Sequence, residues 1–377
     1  MTTSRVPVLR CSIVPPYLLA RLARAGEPEV AESARRTVEQ DRVMRERREV
    51  RTERGRPGRR TFLPTGPAPD EATLTAPRAP ATRRHAVHRS VYDAGHGTAL
   101  PGALVRAEDG PPTADRAVTE AYDGLGATWS LFFTAYQRDS LDGRGLPLVA
   151  SVHYDTSYDN AFWDGAQMVF GDGDGTYFTG FTSSIDVVGH ELTHGVTQFA
   201  AGLTYVGQTG ALNESVSDVF GSLVKQMSLR QGAAEADWLI GAGLFTPRVK
   251  GVALRSMKAP GTACDDPVLG RDPQPATMDG FEDLPHDSAH DNGGVHTNSG
   301  IPNHAFYLAA TAIGGSAWEG AGRVWYDVLT GTGIAKDVDF TGFAGLTVSA
   351  AGRRFGTGST EAGAVAGAWS SVGVLPR

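Results

Sequence analysis

Cysteine is nearly missing from these 377 residues, occurring only as Cys11 and Cys264. Two thiols cannot build a disulfide framework, so burial must hold the core, and both are expected to stay reduced. No apolar run approaches the ~20 residues of a membrane helix, so no membrane partner is expected. Met1 to Arg10 lacks an apolar core followed by small residues, and no Sec-type leader is legible there. The expectation is cytoplasmic residence as synthesised, with non-classical export as the alternative. Lysine is absent from residues 1–86, where 18 Arg face 10 Asp and Glu, a charge of +8. The rest of the chain holds 17 basic against 32 acidic residues, or −15, within an overall −7. The arginines alternate with glutamates along one helical stretch and have no aromatic residues among them. Nucleic acid is therefore not an expected partner; a solvated helix face or docking on the acidic remainder is.

What is present suits a soluble globular chain. A hydrophobic fraction of 41% is ordinary, and the length allows two domains plus an appendage. Ile13-Val14-Pro15-Pro16-Tyr17 opens the chain as an extended proline pair with an apolar anchor, leading into a helix from Leu19 to Ala25. Pro28 to Glu53 reads as a charged helix, and Gly55 to His85 has linker composition. Ala103 to Val105 is a possible strand, Ala117 to Tyr136 a helix and Leu146 to Tyr154 a strand. Asn160 to Phe178 reads as short strands joined by a tight Gly171–Gly175 hairpin turn. Helical periodicity then takes over: Ile185–Ala200, Ala211–Arg230, Pro302–Ile313, Gly320–Leu329, Phe340–Arg354 and Thr360–Val372. The passage from Thr246 to Asn298 is rich in loops.

The chemistry centres on His190-Glu191-Leu192-Thr193-His194. On a helix, positions four apart share a face, so both imidazoles can point at one spot. Zinc takes imidazole nitrogen and carboxylate oxygen, and a catalytic site uses three protein ligands. Glu214 is well placed as the third. Glu191 lies beside such a metal and suits a general base. Asn213 and Asp218 flank Glu214, and Asp218, one turn on, should accept the far N–H of a ligating histidine.

Asn160-Ala161-Phe162-Trp163-Asp164-Gly165, Gly171-Asp172-Gly173-Asp174-Gly175 and the His190 helix resemble the thermolysin-like zinc metallopeptidases. So do Ala253-Leu254-Arg255-Ser256-Met257 and the run from Asp291 to Gly300. The resemblance spans about residue 90 to the C-terminus. Pro15-Pro16-Tyr17 is similar to the short propeptide motif of the family's protealysin-like branch. The resemblance implies an α+β, two-domain fold with the zinc site in the cleft between a β-rich and a helical domain. The expected layout is propeptide and linker at 1–86, a β-rich catalytic domain at 87–200 and a helical one at 201–377. It also implies a monomeric endopeptidase with one catalytic zinc, acting on protein or peptide substrates and made with an inhibitory prosegment. His296 and Tyr205 would stabilise the oxyanion, with Asp291 orienting His296 and Asp218 serving His190. Asn160, Ala161 and Arg255 would hold the substrate main chain. Phe178, Val187 and Leu254 would favour a bulky apolar residue just after the scissile bond; the alternative for these three is plain core packing.

Many relatives carry paired calcium ions near the active site. Two matching positions, Asp186 and Asp237, stay acidic here, while three others have become Lys225, Leu239 and Ala242. Calcium wants six to eight oxygen ligands, so it is not expected at that site. The Lys225 ammonium would stand in for a cation, unless it points into solvent. Two other functions compete: an inactive scaffold of the same fold, and a zinc hydrolase of non-peptide substrates. Glu191 argues against the scaffold, and Asn160, Ala161 and Arg255 argue for a peptide.

Overall fold

The computed structural model describes residues 12–54 and 85–376. The expected processing linker and Cys11 lie outside the described residues; Cys264 is a buried thiol. Helix α1 (Pro16–Ala25) begins at the second proline, three residues before the expected start. Pro16 occupies the first helical position, where the missing N–H costs nothing and the ring presets φ. A long α2 (Pro28–Arg54) follows.

A five-stranded sheet comes next, ordered β2-β1-β3-β5-β4. Its strands are β1 (Arg89–Asp93), β2 (Ala103–Ala107), β3 (Leu148–Val152), β4 (Ala161–Trp163) and β5 (Met168–Phe170). The central β3 runs parallel to both neighbours, and four of its five residues are buried. That accounts for its apolar sequence, broken only by the hydrogen-bonded Ser151, since a parallel strand is covered on both faces. Helix α3 (Arg116–Tyr136), capped by Asp115, packs on this sheet. One expectation is corrected. β4 and β5 pair across a turn at Asp164–Gln167, whereas the Gly171–Gly175 run follows the sheet as a loop. There Asp174 Oδ1 accepts the N–H groups of Thr176, Tyr177 and Phe178, which curls the chain before Phe178 makes an isolated antiparallel bridge to Phe245.

The second half is helical apart from the two-residue strands β6 (Leu239–Ile240), β7 (Arg255–Ser256), β8 (Asp265–Asp266) and β9 (Gly270–Arg271). Its helices are α4 (Ile185–Phe199), α5 (Gly207–Leu229), α6 (Asp291–Asn298), α7 (Gly300–Ile313), α8 (Ala321–Thr330), α9 (Phe340–Phe355) and α10 (Thr360–Ser371). Helix α6 lies where only loop was expected. Asp291, Asn292, Gly293 and Gly294 all have positive φ, from 52° to 92°, so no helical period is legible at its start.

Helices α4 and α5 cross at glycines. A Cβ on Gly221 would lie 2.4 Å from the Asp186 carbonyl oxygen, and one on Gly189 would lie 3.0 Å from Gly221 Cα. Only hydrogen fits at that crossing. The close approach brings a glutamate on α5 to the two histidines on α4.

Candidate active site

His190, His194 and Glu214 are buried and converge. His190 Nδ1 lies 2.8 Å from Asp218 Oδ1, and His194 Nδ1 lies 2.9 Å from Asn213 Oδ1. The Asn213 amide is oriented by its Nδ2–H bond to the Leu203 carbonyl, 3.1 Å away. Both partners accept, so each Nδ1 carries the proton and each Nε2 presents a lone pair. The two Nε2 atoms face one another at 3.0 Å, with Glu214 Oε2 3.6 Å from that of His190 and Oε1 3.6 Å from that of His194. Three electron-rich atoms converging away from water repel unless a cation lies among them. Tetrahedral zinc with bonds of ~2.0–2.1 Å spaces its ligands roughly 3.4 Å apart. The observed 3.0 to 3.6 Å brackets that spacing, and the residues fit a zinc ion.

Asp218 is a hub. It holds His190, accepts Arg255 Nε and Nη2 at 2.9 and 2.8 Å, and accepts Asn303 Nδ2 at 2.8 Å. Burial would raise its pKa, but the Arg255 charge and the His190 bond outweigh that and hold it well below the usual range. Glu191 is fully buried, and Trp163 N donates to its Oε2 at 3.0 Å. Tyr205 Oη donates to Glu214 and lies 3.4 Å from His296 Nε2. Asp291 bonds His296 Nδ1 at 2.7 Å and its backbone N at 2.8 Å. Burial works against charge on His296, yet the Asp291 and Glu214 carboxylates push its pKa up to about 9. Asn303 and the Trp163 N–H carried no legible signal, since neither lies in a spaced pattern with the histidines.

Residues Ser12 to Val14 lie across this site. Ile13 N donates to the Ala161 carbonyl at 3.2 Å, and Val14 N donates to Asn160 Oδ1 at 3.0 Å. Arg255 Nη1 donates to the Ile13 carbonyl at 3.0 Å, and His296 Nε2 is 3.1 Å from the Ser12 carbonyl oxygen. Asp41, on α2, accepts from Asn160 Nδ2 at 3.0 Å and from the Tyr158 hydroxyl. Ile13, Phe178, Val187 and Leu254 are all buried, as parts of the hydrophobic core that runs through the whole described chain.

Lys225 is buried rather than solvated. Its ammonium donates to Asp186 at 2.8 Å, Asp237 at 2.9 Å and the Leu239 carbonyl at 2.6 Å.

The thermolysin metallopeptidase catalytic domain matches residues 79–198, and the thermolysin metallopeptidase alpha-helical domain matches 201–374. The chain belongs to the thermolysin metallopeptidase family. It is a zinc metalloendopeptidase with the family's two-domain α+β fold. It is 48% identical over 367 residues to an extracellular metalloprotease of Pectobacterium carotovorum subsp. carotovorum, covering 97% of each chain. It is also 52% identical over 202 residues to the extracellular minor metalloprotease of Serratia marcescens (strain ATCC 21074 / E-15), covering 54% of this chain and 56% of that protein. The solved precursor of protealysin, a metalloproteinase from Serratia proteamaculans, is 49% identical with a TM-score of 0.81. That match covers 97% of this chain and 100% of the solved one, and places the protein in the protealysin branch. The expectation of cytoplasmic residence is overturned, because both of these sequence relatives are named extracellular. An apolar leader tests a single export route, so its absence from Met1 to Arg10 could not carry that expectation.

Proposed function

We propose that the protein is an extracellular endopeptidase whose own prosegment lies in the substrate's place. Residues 1–86 are assigned to prosegment and linker, 87–200 to the β-rich catalytic domain and 201–377 to the helical one. The observation that carries this reading is the main-chain register of Ser12 to Val14. Donors and acceptors that would grip a peptide on both sides of a scissile bond grip the Ser12–Ile13 bond instead. The burial of α1 and of α2 as far as Asp41 against the acidic catalytic part agrees with the opposed charges of +8 and −15.

In this reading His190, His194 and Glu214 hold the zinc, with Asn213 and Asp218 fixing the imidazoles. Zinc, when bound, polarises the scissile carbonyl and acidifies water. Glu191 takes a proton from the attacking water and delivers it to the leaving amine. The Trp163 N–H holds that carboxylate in place. His296 and Tyr205 donate to the developing oxyanion, and Asp291 keeps His296 oriented. Asn160, Ala161 and Arg255 hold the peptide main chain. Phe178, Val187 and Leu254 receive a bulky apolar side chain. Calcium is absent from the reading, because Lys225 holds Asp186 and Asp237 where a cation would.

Paired peptides differing only after the scissile bond test the specificity. Leucine there should exceed aspartate by roughly a hundredfold or more in kcat/KM. o-Phenanthroline should stop both reactions and zinc should restore them. Equal rates for the two peptides would return Phe178, Val187 and Leu254 to simple core packing.

Docking of the prosegment should also depend on pH. Asp159 is buried beneath α2, beside Ser33 and Thr37. Burial, with Asp174 adding repulsion, pushes its carboxyl pKa up to about 8. A carboxyl with a raised bound-state pKa is protonated when docked. Docking is then strongest below the free carboxyl's pKa and weakens as pH rises through about 8. In a Glu191→Ala precursor, tryptic protection of α2 should fall between about pH 5 and about pH 9. Asp159→Asn should flatten that dependence; an unchanged slope would locate the titrating group elsewhere.

A further inference from the structure

A second cluster of ligand-type side chains lies on the sheet, outside the catalytic cleft. His96 sits in the turn after β1, His153 directly follows β3, and Asp172 lies two residues past β5. One ligand atom from each falls within 4.8 Å of the others. His153 Nδ1 is 2.9 Å from Asp172 Oδ2, and His153 Nε2 is 2.9 Å from Asp115 Oδ2 at the head of α3. His96 Nδ1 stands 3.5 Å from the same Asp172 oxygen.

We propose that His96, His153 and Asp172 form a second divalent transition-metal site, of the zinc class, that clips three segments of the β-rich domain together. An ion pair of His153 with its two carboxylates explains part of the cluster without a metal. It takes in His96 only through a long ion pair with Asp172 and a tilted ring contact with His153, their centroids 5.4 Å apart. A separation of 3.5 Å is long for a nitrogen–oxygen hydrogen bond, yet close to the ~3.3 Å between two ligands of one zinc ion. The backbone also works to bring both rings there. His96 and His153 have φ of 59° and 53°, in the left-handed region, and His96 N donates to the His153 carbonyl at 2.9 Å. Asp115 supplies the remaining element. It accepts the Nε2–H and so directs Nδ1 at the site, the carboxylate–histidine–metal arrangement that orients ligating imidazoles. On binding, the Nδ1 proton shared with Asp172 is released to solvent, while Nε2 keeps its own. Two imidazoles with one carboxylate select zinc, nickel or copper over calcium or magnesium. Three protein ligands leave one position for water, on the side where His96 is exposed.

The test uses the full chain with Glu191→Ala, loaded with its first zinc equivalent and titrated with zinc alone. A second equivalent should bind and raise the thermal midpoint. His96→Asn keeps a residue that tolerates positive φ while removing the imidazole. It should weaken the second equivalent by about tenfold or more, abolish the thermal shift, and leave the first equivalent in place. A chain that takes up no second equivalent overturns the proposal. So does a second equivalent that binds the His96→Asn variant equally well, because that zinc would lie elsewhere, such as at His296.

Discussion

Glu191→Ala should lower peptide hydrolysis by about a thousandfold or more while the protein still carries one zinc per chain. The reason is positional. Glu191 sits between the two histidines in sequence, so the helix turns it off the face they share. Its carboxylate is instead pinned by the Trp163 N–H, fully buried beside the metal ligands. Removing it takes away the proton carrier and leaves His190, His194 and Glu214 untouched. If maturation is autocatalytic, the same change should leave the full-length precursor as the accumulating species. Zinc content by elemental analysis, peptide hydrolysis and a gel of the purified chain provide the readouts. A variant with wild-type turnover would end this assignment. One that loses zinc would move Glu191 among the ligands.

Lys225→Ala should cost about 3 kcal/mol of stability, a fall of roughly 6 °C or more in the thermal midpoint. Asp186 is fully buried, with Ser184 Oγ donating to its Oδ1 at 2.6 Å and the Lys225 ammonium donating to its Oδ2 at 2.8 Å. Deleting the ammonium leaves a buried carboxylate facing Asp237 without a cation. Burial disfavours charge on Lys225, but Asp186 and Asp237 outweigh it and raise its pKa. A raised lysine pKa contributes stability fully below the free value of about 10.4, lost only as pH climbs past it. The penalty should therefore be constant across the neutral range. Wild-type protein should be indifferent to EGTA at fixed zinc. Added calcium should recover little in the variant, since two carboxylates fall well short of six to eight ligands. A large drop on chelating calcium from wild type would show that a calcium site survives despite Lys225.

The sequence by itself determined the parts of the site that one helix can encode. His190, Glu191 and His194 are legible because a 3.6-residue repeat fixes which side chains share a face, and Asn213, Glu214 and Asp218 follow by the same rule on α5. The helices of the C-terminal half were legible for that reason too. Local rules also hid things: the left-handed run from Asp291 to Gly294 erased any period at the head of α6, and Asp174 curled a loop where a hairpin seemed due. Tertiary structure decided what depends on residues far apart in the chain. The glycine crossing of α4 and α5 sets how near Glu214 comes to the histidines. Asp218 gathers His190, Arg255 and Asn303 from two helices and a strand, and Asp41 reaches Asn160 across 119 positions. The seating of Ile13 against Ala161 and Arg255, and the meeting of His96 with Asp172, are of the same kind. Such pairs have no fixed spacing, so no period or motif announces them; only the folded backbone brings them within reach.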